Sequence, residues 1–418
     1  MQISHVEGRE SPSEGARFPG ISTTSHDGVR LFFDGGKVGI KPKLRALAAL
    51  AAAGLALTAC GSSDSSSSTA GSGSDCGHYN LAFLGATTGD AGALGQNMVG
   101  GIKLALDEYN KAHSDCTVGL KVFDSQGDPV KATPLATKIV QDTSIIGLVG
   151  PGFSGESLAT GKTFYAAGLP SISPSATNAT ITQSGWSTWH RVIGNDSIQG
   201  AADVKYMENT ANAKKIYLIH DDQDYSVGLA GFVKTALGSA MTGEDAVQQK
   251  QTDFGPTVTK VTSASPDAVF YAGYYPEAGL LCKQLRQAGY KGLFMSGDGS
   301  EDPAFVTTAG AQAAEGAVLS APAAPAPADF NSKYKALNNK DSGLYSTQSF
   351  DAANIFLAGI EAGKTSHADM NTFIGSYDKT GVSGPIKFDS KGDISAQTIY
   401  AYKVTGGKLD TANPTLIK

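Results

Sequence analysis

Strand-like and helix-like segments alternate along the chain twice over, and this alternation limits the fold more than any other feature. Short β-rich runs at 81–85, 118–123, 145–149 and 170–172 are separated by helical patterns around 102–109, 130–140 and 155–167. The pattern restarts with runs at 216–219, 268–271 and 293–295, separated by helical patterns at 227–237 and 279–287. Strands alternating with helices imply parallel sheets covered on both faces. Two series, divided near 191–195, predict an α/β fold of two doubly wound parallel-sheet lobes joined by a multi-strand hinge. The Pro/Ala stretch 321–328 reads as a crossing, after which helices around 330–337 and 352–362 return to the first lobe. The expected division is 78–193 plus 321–383 for one lobe and 194–320 plus 384–418 for the other. Ligands of open α/β sheets sit beyond the carboxyl ends of the strands, so two such lobes face each other across a cleft that can close.

The amino-terminal part has a different logic. Lys41, Lys43 and Arg45 precede an uncharged Ala/Leu run at 46–56, and Leu57-Thr58-Ala59-Cys60 follows. The run is too short to span a bilayer and suits a cleaved export signal. It resembles the lipobox of bacterial lipoproteins, which implies lipidation of Cys60 and attachment to the cell membrane. Residues 1–59 are then leader and signal peptide. Translation starting at Val38 would remove 1–37, which show no sustained apolar periodicity. Residues 60–77 form the anchor and a Ser/Gly linker with a reach of roughly 20 Å.

Export places the cysteines in an oxidising compartment. Cys76 and Cys116 each precede a strand expected in the same sheet, which makes a bridge between them plausible. Cys282 lies in an apolar stripe with Leu280, Leu281 and Leu285 and reads as a buried thiol. The formal net charge is −6, and removing 1–59 takes away a net +2 to leave −8. An acidic body of this kind is expected to bind no nucleic acid.

Three local motifs suggest chemistry. Gly150-Pro151-Gly152-Phe153-Ser154-Gly155 spells G-x-G-x-x-G between a strand and a helix. The next strand ends in Ile172-Ser173-Pro174-Ser175, without the acid that a dinucleotide ribose needs. The glycines instead suit a backbone approaching a small anion at a helix start. Ser154 sits in Gly-Phe-Ser-Gly rather than a nucleophile elbow, and no histidine spacing activates it. His220-Asp221-Asp222-Gln223-Asp224 reads as a solvated turn, since no second ligand cluster reinforces a metal site. Neither cofactor nor metal is expected.

The loops at the strand ends collect Ser154, Ser175, Thr177, Tyr225, Tyr274 and Asp298. The first three offer hydroxyls and helix-start amides, which suit a carboxylate. The last three offer phenols and one carboxylate, which suit an ammonium group. Taken singly, each has a structural explanation: Ser and Thr cap helices, and Tyr fills a lobe edge. Together they match a zwitterion.

Several longer stretches strengthen this reading. They include Phe83-Leu84-Gly85-Ala86-Thr87-Thr88-Gly89, residues 124–129, Ile172-Ser173-Pro174-Ser175-Ala176-Thr177, residues 219–230, residues 270–279 and Gly384-Pro385-Ile386-Lys387-Phe388-Asp389. In these the chain resembles the branched-chain amino-acid (leucine/isoleucine/valine) receptors of ABC importers, which are type I periplasmic binding proteins.

The resemblance implies that Ser154, assisted by Thr177, binds the ligand carboxylate. The Ser175 carbonyl and Asp298 would take the ammonium, with Tyr225 and Tyr274 closing from the second lobe. Leu94 stands where such receptors have an aromatic residue, and Asp298 where they carry the longer Glu. Leu94, Phe153 and Tyr345 are candidates for the side-chain pocket. The expected function is capture of a small amino acid and delivery to permease subunits, without enzymatic chemistry, by a monomer outside the cytoplasm. Three alternatives remain: a same-fold receptor for an amide, a urea or an aromatic acid; a sensory receptor without a transporter; and a nucleotide-using enzyme.

Overall fold

The computed structural model describes residues 78–418. The expected export signal, Cys60, the Ser/Gly linker and Cys76 lie outside the described residues. Cys116 carries a disulfide bond, and Cys282 is a buried free thiol.

The first sheet contains β1 (Asn80–Gly85), β2 (Gly119–Asp124), β3 (Ile145–Val149), β4 (Ser171–Ser173) and β5 (Trp189–Arg191). They lie in the order β2-β1-β3-β4-β5, and every pairing is parallel. The second sheet begins with β6 (Ile216–His220), β7 (Met241–Ala246), β8 (Ala268–Ala272), β9 (Leu293–Ser296) and β10 (Val318–Ala321). Its order is β7-β6-β8-β9-β10, again parallel throughout. The two sheets therefore repeat one doubly wound topology, and each reverses direction beside its first strand. Central strands β3 and β8 are apolar and buried along their whole length, as strands covered on both faces must be.

Local signals set the helix starts. Asp128 accepts the Val130 amide ahead of Pro129 at the first turn of helix Pro129–Gln141, and Asn195 accepts the Ser197 amide at helix Asp196–Lys205. Gly95 lets helix Gly92–Ala112 lie against the end of β1, where an added Cβ would fall 1.6 Å from the Ala86 carbonyl oxygen.

After β10 the chain leaves the second sheet. Helices Ala328–Asn338 and Ser346–Glu361 pack on helix Gly92–Ala112, and the latter also reaches β3. Hairpin β11 (Asp378–Gly381) and β12 (Gly384–Lys387) is tied to that helix by Asp351, which accepts the Val382 and Ser383 amides. The chain then returns through β13 (Ile399–Thr405), antiparallel to β10, with β14 (Lys408–Leu409) and β15 (Thr415–Ile417) paired to β13. Three segments, 192–195, 322–327 and 388–398, thus connect the two sheets.

Fully buried Arg191 locks two of these segments. Its Nε donates to Asp393, and its Nη1 donates to the Ala176 and Asn178 carbonyls at 2.8 and 3.0 Å. The Gln397 carboxamide oxygen accepts the Asn195 amide at 3.0 Å. Among the described residues no helix is long and apolar enough to cross a membrane.

Candidate ligand-binding site

The site lies where both sheets end. The loops after β1, β3 and β4 supply the helix bearing Leu94, then Gly152, Phe153 and Ser154, then Ser175. The loops after β6, β8 and β9 supply Tyr225, Tyr274 and Asp298 with Gly299. Tyr345, just ahead of helix Ser346–Glu361, completes the lining. Eight of the nine expected residues therefore surround one small cavity. Thr177 does not line it: the residue is fully buried and its hydroxyl faces the Asp196 carboxylate.

At the first-sheet wall, helix Ser154–Ala166 begins directly after the Gly150–Gly152 turn, leaving its first amides without intrahelical acceptors. Ser154 Oγ accepts the Asn178 amide at 3.2 Å, so its own hydrogen is free to point into the cavity. Ser175 Oγ donates to the Gly152 carbonyl at 2.6 Å, fixing one loop against the other. Glu156 anchors the turn: it accepts the Phe153 amide at 3.2 Å and the Ser125 hydroxyl. Burial pushes its carboxyl up to about 8, so it stands neutral beside the helix start.

The opposite wall is acidic. Asp298 is 1% exposed. Its Oδ1 accepts the Tyr225 phenol at 2.8 Å, and its Oδ2 accepts the Tyr345 phenol. Burial raises the Asp298 pKa, while these phenols pull it back. Tyr225 also accepts the Gly299 amide at 3.0 Å, which holds the loop in place. Aromatic rings bridge the lobes, with Phe153 5.6 Å from Tyr274 and Tyr274 5.2 Å from Tyr225. Asn178 Nδ2 donates to the Asp224 carbonyl at 2.7 Å, and Gly228 leaves room for that contact. The cleft is closed in this structure.

Sequence reasoning missed the layer below. Helix Asp196–Lys205 buries Asp196 and Asp203, and burial raises both carboxyls, with Asp298 adding to each. Asp196 reaches about 8. The seven-residue spacing of these acids, two turns on one helix face, was the available signal. Beside them Gln199 Nε2 donates to Ser320 Oγ at 3.1 Å. The His220–Asp224 run is a turn and helix start, in which Asp221 accepts the Gln223 amide at 2.9 Å and the Tyr271 phenol at 3.2 Å. Among the described residues no group of three or more His, Cys, Asp or Glu side chains is arranged to hold a metal ion.

Residues 78–408 match the periplasmic binding protein family. The chain belongs to that family. It is 32% identical over 326 residues to the leucine-specific-binding protein of Salmonella typhimurium, covering 75% of this chain and 87% of the relative. It is 29% identical over 324 residues to the leucine-, isoleucine-, valine-, threonine- and alanine-binding protein of Pseudomonas aeruginosa, covering 75% and 86%. Among solved structures it is similar to the branched-chain amino acid transporter substrate binding protein LivJ from Streptococcus pneumoniae in complex with isoleucine. That likeness has a TM-score of 0.76 at 26% identity and covers 81% of this chain and all of the other. The two-lobed, type I fold expected from the sequence is thereby confirmed. The relatives are solute-binding proteins of transporters, and the family implies a place outside the cytoplasm.

Proposed function

We propose that this chain captures a small amino acid of the branched aliphatic class between its lobes and delivers it to an ABC importer. The observation that carries this reading is the polarity of the cavity. Ser154 and the amides of a helix start face Asp298 and its phenols across it, with Leu94, Phe153 and Tyr274 between. A zwitterion satisfies both walls, and an aliphatic side chain matches the lining between them. The named binding activities of the relatives support the same class.

Ser154, Ser175, Tyr225, Tyr274 and Asp298 are the ligand-binding residues in this reading, and Thr177 acts from behind them on Asp196. The protein performs no chemistry: Ser154 is a ligand hydroxyl, and its hydrogen-bond partner is a backbone amide rather than a base. Lipid on Cys60 tethers the receptor to the membrane and raises its effective concentration at the permease. The division into lobes follows the three connections at 192–195, 322–327 and 388–398, so the third lies a few residues beyond the boundary at 383/384 expected from the sequence.

A thermal-shift screen across the amino acids tests the proposal, since ligands of the folded state raise the melting temperature by mass action. The largest shifts are expected with leucine, isoleucine and valine. A shift produced only by an amide, a urea or an aromatic acid would overturn the ligand class.

A further inference from the structure

Behind Tyr345 lies a second cavity of about 290 Å³, separate from the cleft lining except for that one residue. Both lobes and a crossing segment contribute to it. Glu301 and Tyr402 come from the second-sheet side, Ala324 and Pro325 from the crossing, and Ser342 and Tyr345 from the approach to helix Ser346–Glu361.

Glu301 is what makes the cavity a site rather than a gap. It is only 4% exposed. Among the described residues, none donates a hydrogen bond to its carboxylate and none forms an ion pair with it. The charges acting on it are Asp302 and Asp298, both negative, and with burial they push its carboxyl well above the usual range. No lysine or arginine lines the cavity. A buried carboxylate without a partner is costly, and burying an opposite charge with it relieves that cost. Alanines, Pro325, Leu344 and the rings of Tyr345 and Tyr402 give surfaces that accept an alkyl body and attract a cation, and Asn331, Ser342, Thr347, Gln348 and Thr411 add neutral polar groups to the wall.

We propose that this cavity is a second binding site, for a small organic cation of the alkylammonium class, with its charged head on Glu301. The site is independent of the amino-acid cleft, although Tyr345 is a wall of both. A ligand there would touch both lobes and the crossing between them.

Isothermal titration of the full-length protein with n-propylammonium chloride, against sodium chloride at equal ionic strength, tests the proposal. Saturable binding is expected. Glu301→Gln should weaken it by about tenfold or more, the usual size of a charge-assisted hydrogen bond. Ser342→Trp, which fills the cavity and leaves the carboxylate in place, should weaken it similarly. Leucine titrations of both variants should stay within about twofold of the parent, which shows that each is folded and keeps the two sites apart. Absence of saturable propylammonium binding by the parent would mean that the cavity holds water only and would overturn the proposal. Equal affinity in Glu301→Gln would place the cation elsewhere, with the same consequence.

Discussion

Tyr345 reaches across the cleft and donates its phenolic hydrogen to Asp298 Oδ2, while Tyr225 holds Oδ1. Both carboxylate oxygens are therefore satisfied by phenols in the closed protein. Tyr345 does this from a left-handed backbone, with φ at +70°, a conformation uncommon for a bulky side chain. In the proposed binding mode, an incoming ammonium group would compete with this internal bond for Asp298.

Tyr345→Phe is expected to tighten amino-acid binding by about 1 kcal/mol. The ligand then no longer displaces a hydrogen bond of that net size. Calorimetry on the variant checks this, and weaker binding would mean that the phenol contacts the ligand directly.

Asp298→Asn removes the charge that the proposal places opposite the ligand ammonium. Binding should weaken by roughly 2–5 kcal/mol, the range for truncating one partner of a buried charge pair. Unchanged affinity would remove Asp298 from the site.

Arg191→Ala should destabilise the protein by about 3–5 kcal/mol in urea unfolding, because it strips Asp393 of its cationic partner, leaving it only the Thr182 hydroxyl, and frees two carbonyls. Arg191→Lys should recover little, since an ammonium cannot reproduce the guanidinium fork.

Glu156 provides a pH signature. Burial lifts its carboxyl from an ordinary 4.5 to about 8. Between those values the native state holds a proton that the unfolded chain has lost. Stability falls as pH rises through that window and is level above it. Glu156→Gln cannot ionise, so its loss of stability between pH 5 and pH 8.5 should be smaller than the parent's by on the order of a few kcal/mol. Asp196 titrates in both proteins and cancels in the difference. Urea midpoints at the two pH values measure it.

The double α/β series was legible because its central strands are continuous apolar runs such as Ile145–Val149. β7 was not: Met-Thr-Gly-Glu-Asp-Ala is an edge strand with alternate residues exposed and little β-propensity of its own. β5 is three residues long and carries no periodicity. The cavity-lining side chains were legible because strand ends and helix starts fix where Ser154, Tyr225 and Asp298 emerge. Thr177 looked equivalent in sequence, yet it turns inward toward Asp196, a direction that depends on a helix the sequence pattern did not reveal. The Tyr345–Asp298 contact joins residues 47 apart through a crossing segment, and no local signal encodes it.

The most direct test of the account is calorimetry of the full-length protein with leucine, 4-methylpentanoate and leucinamide. Leucine carries both charges, and each analogue lacks one. Leucine is predicted to bind in the cleft, and each analogue should bind at least about a hundredfold more weakly, because a buried polar wall is then left unpaired. Equal binding of either analogue, or no binding of leucine, isoleucine or valine, would contradict recognition of a zwitterion between Ser154 and Asp298.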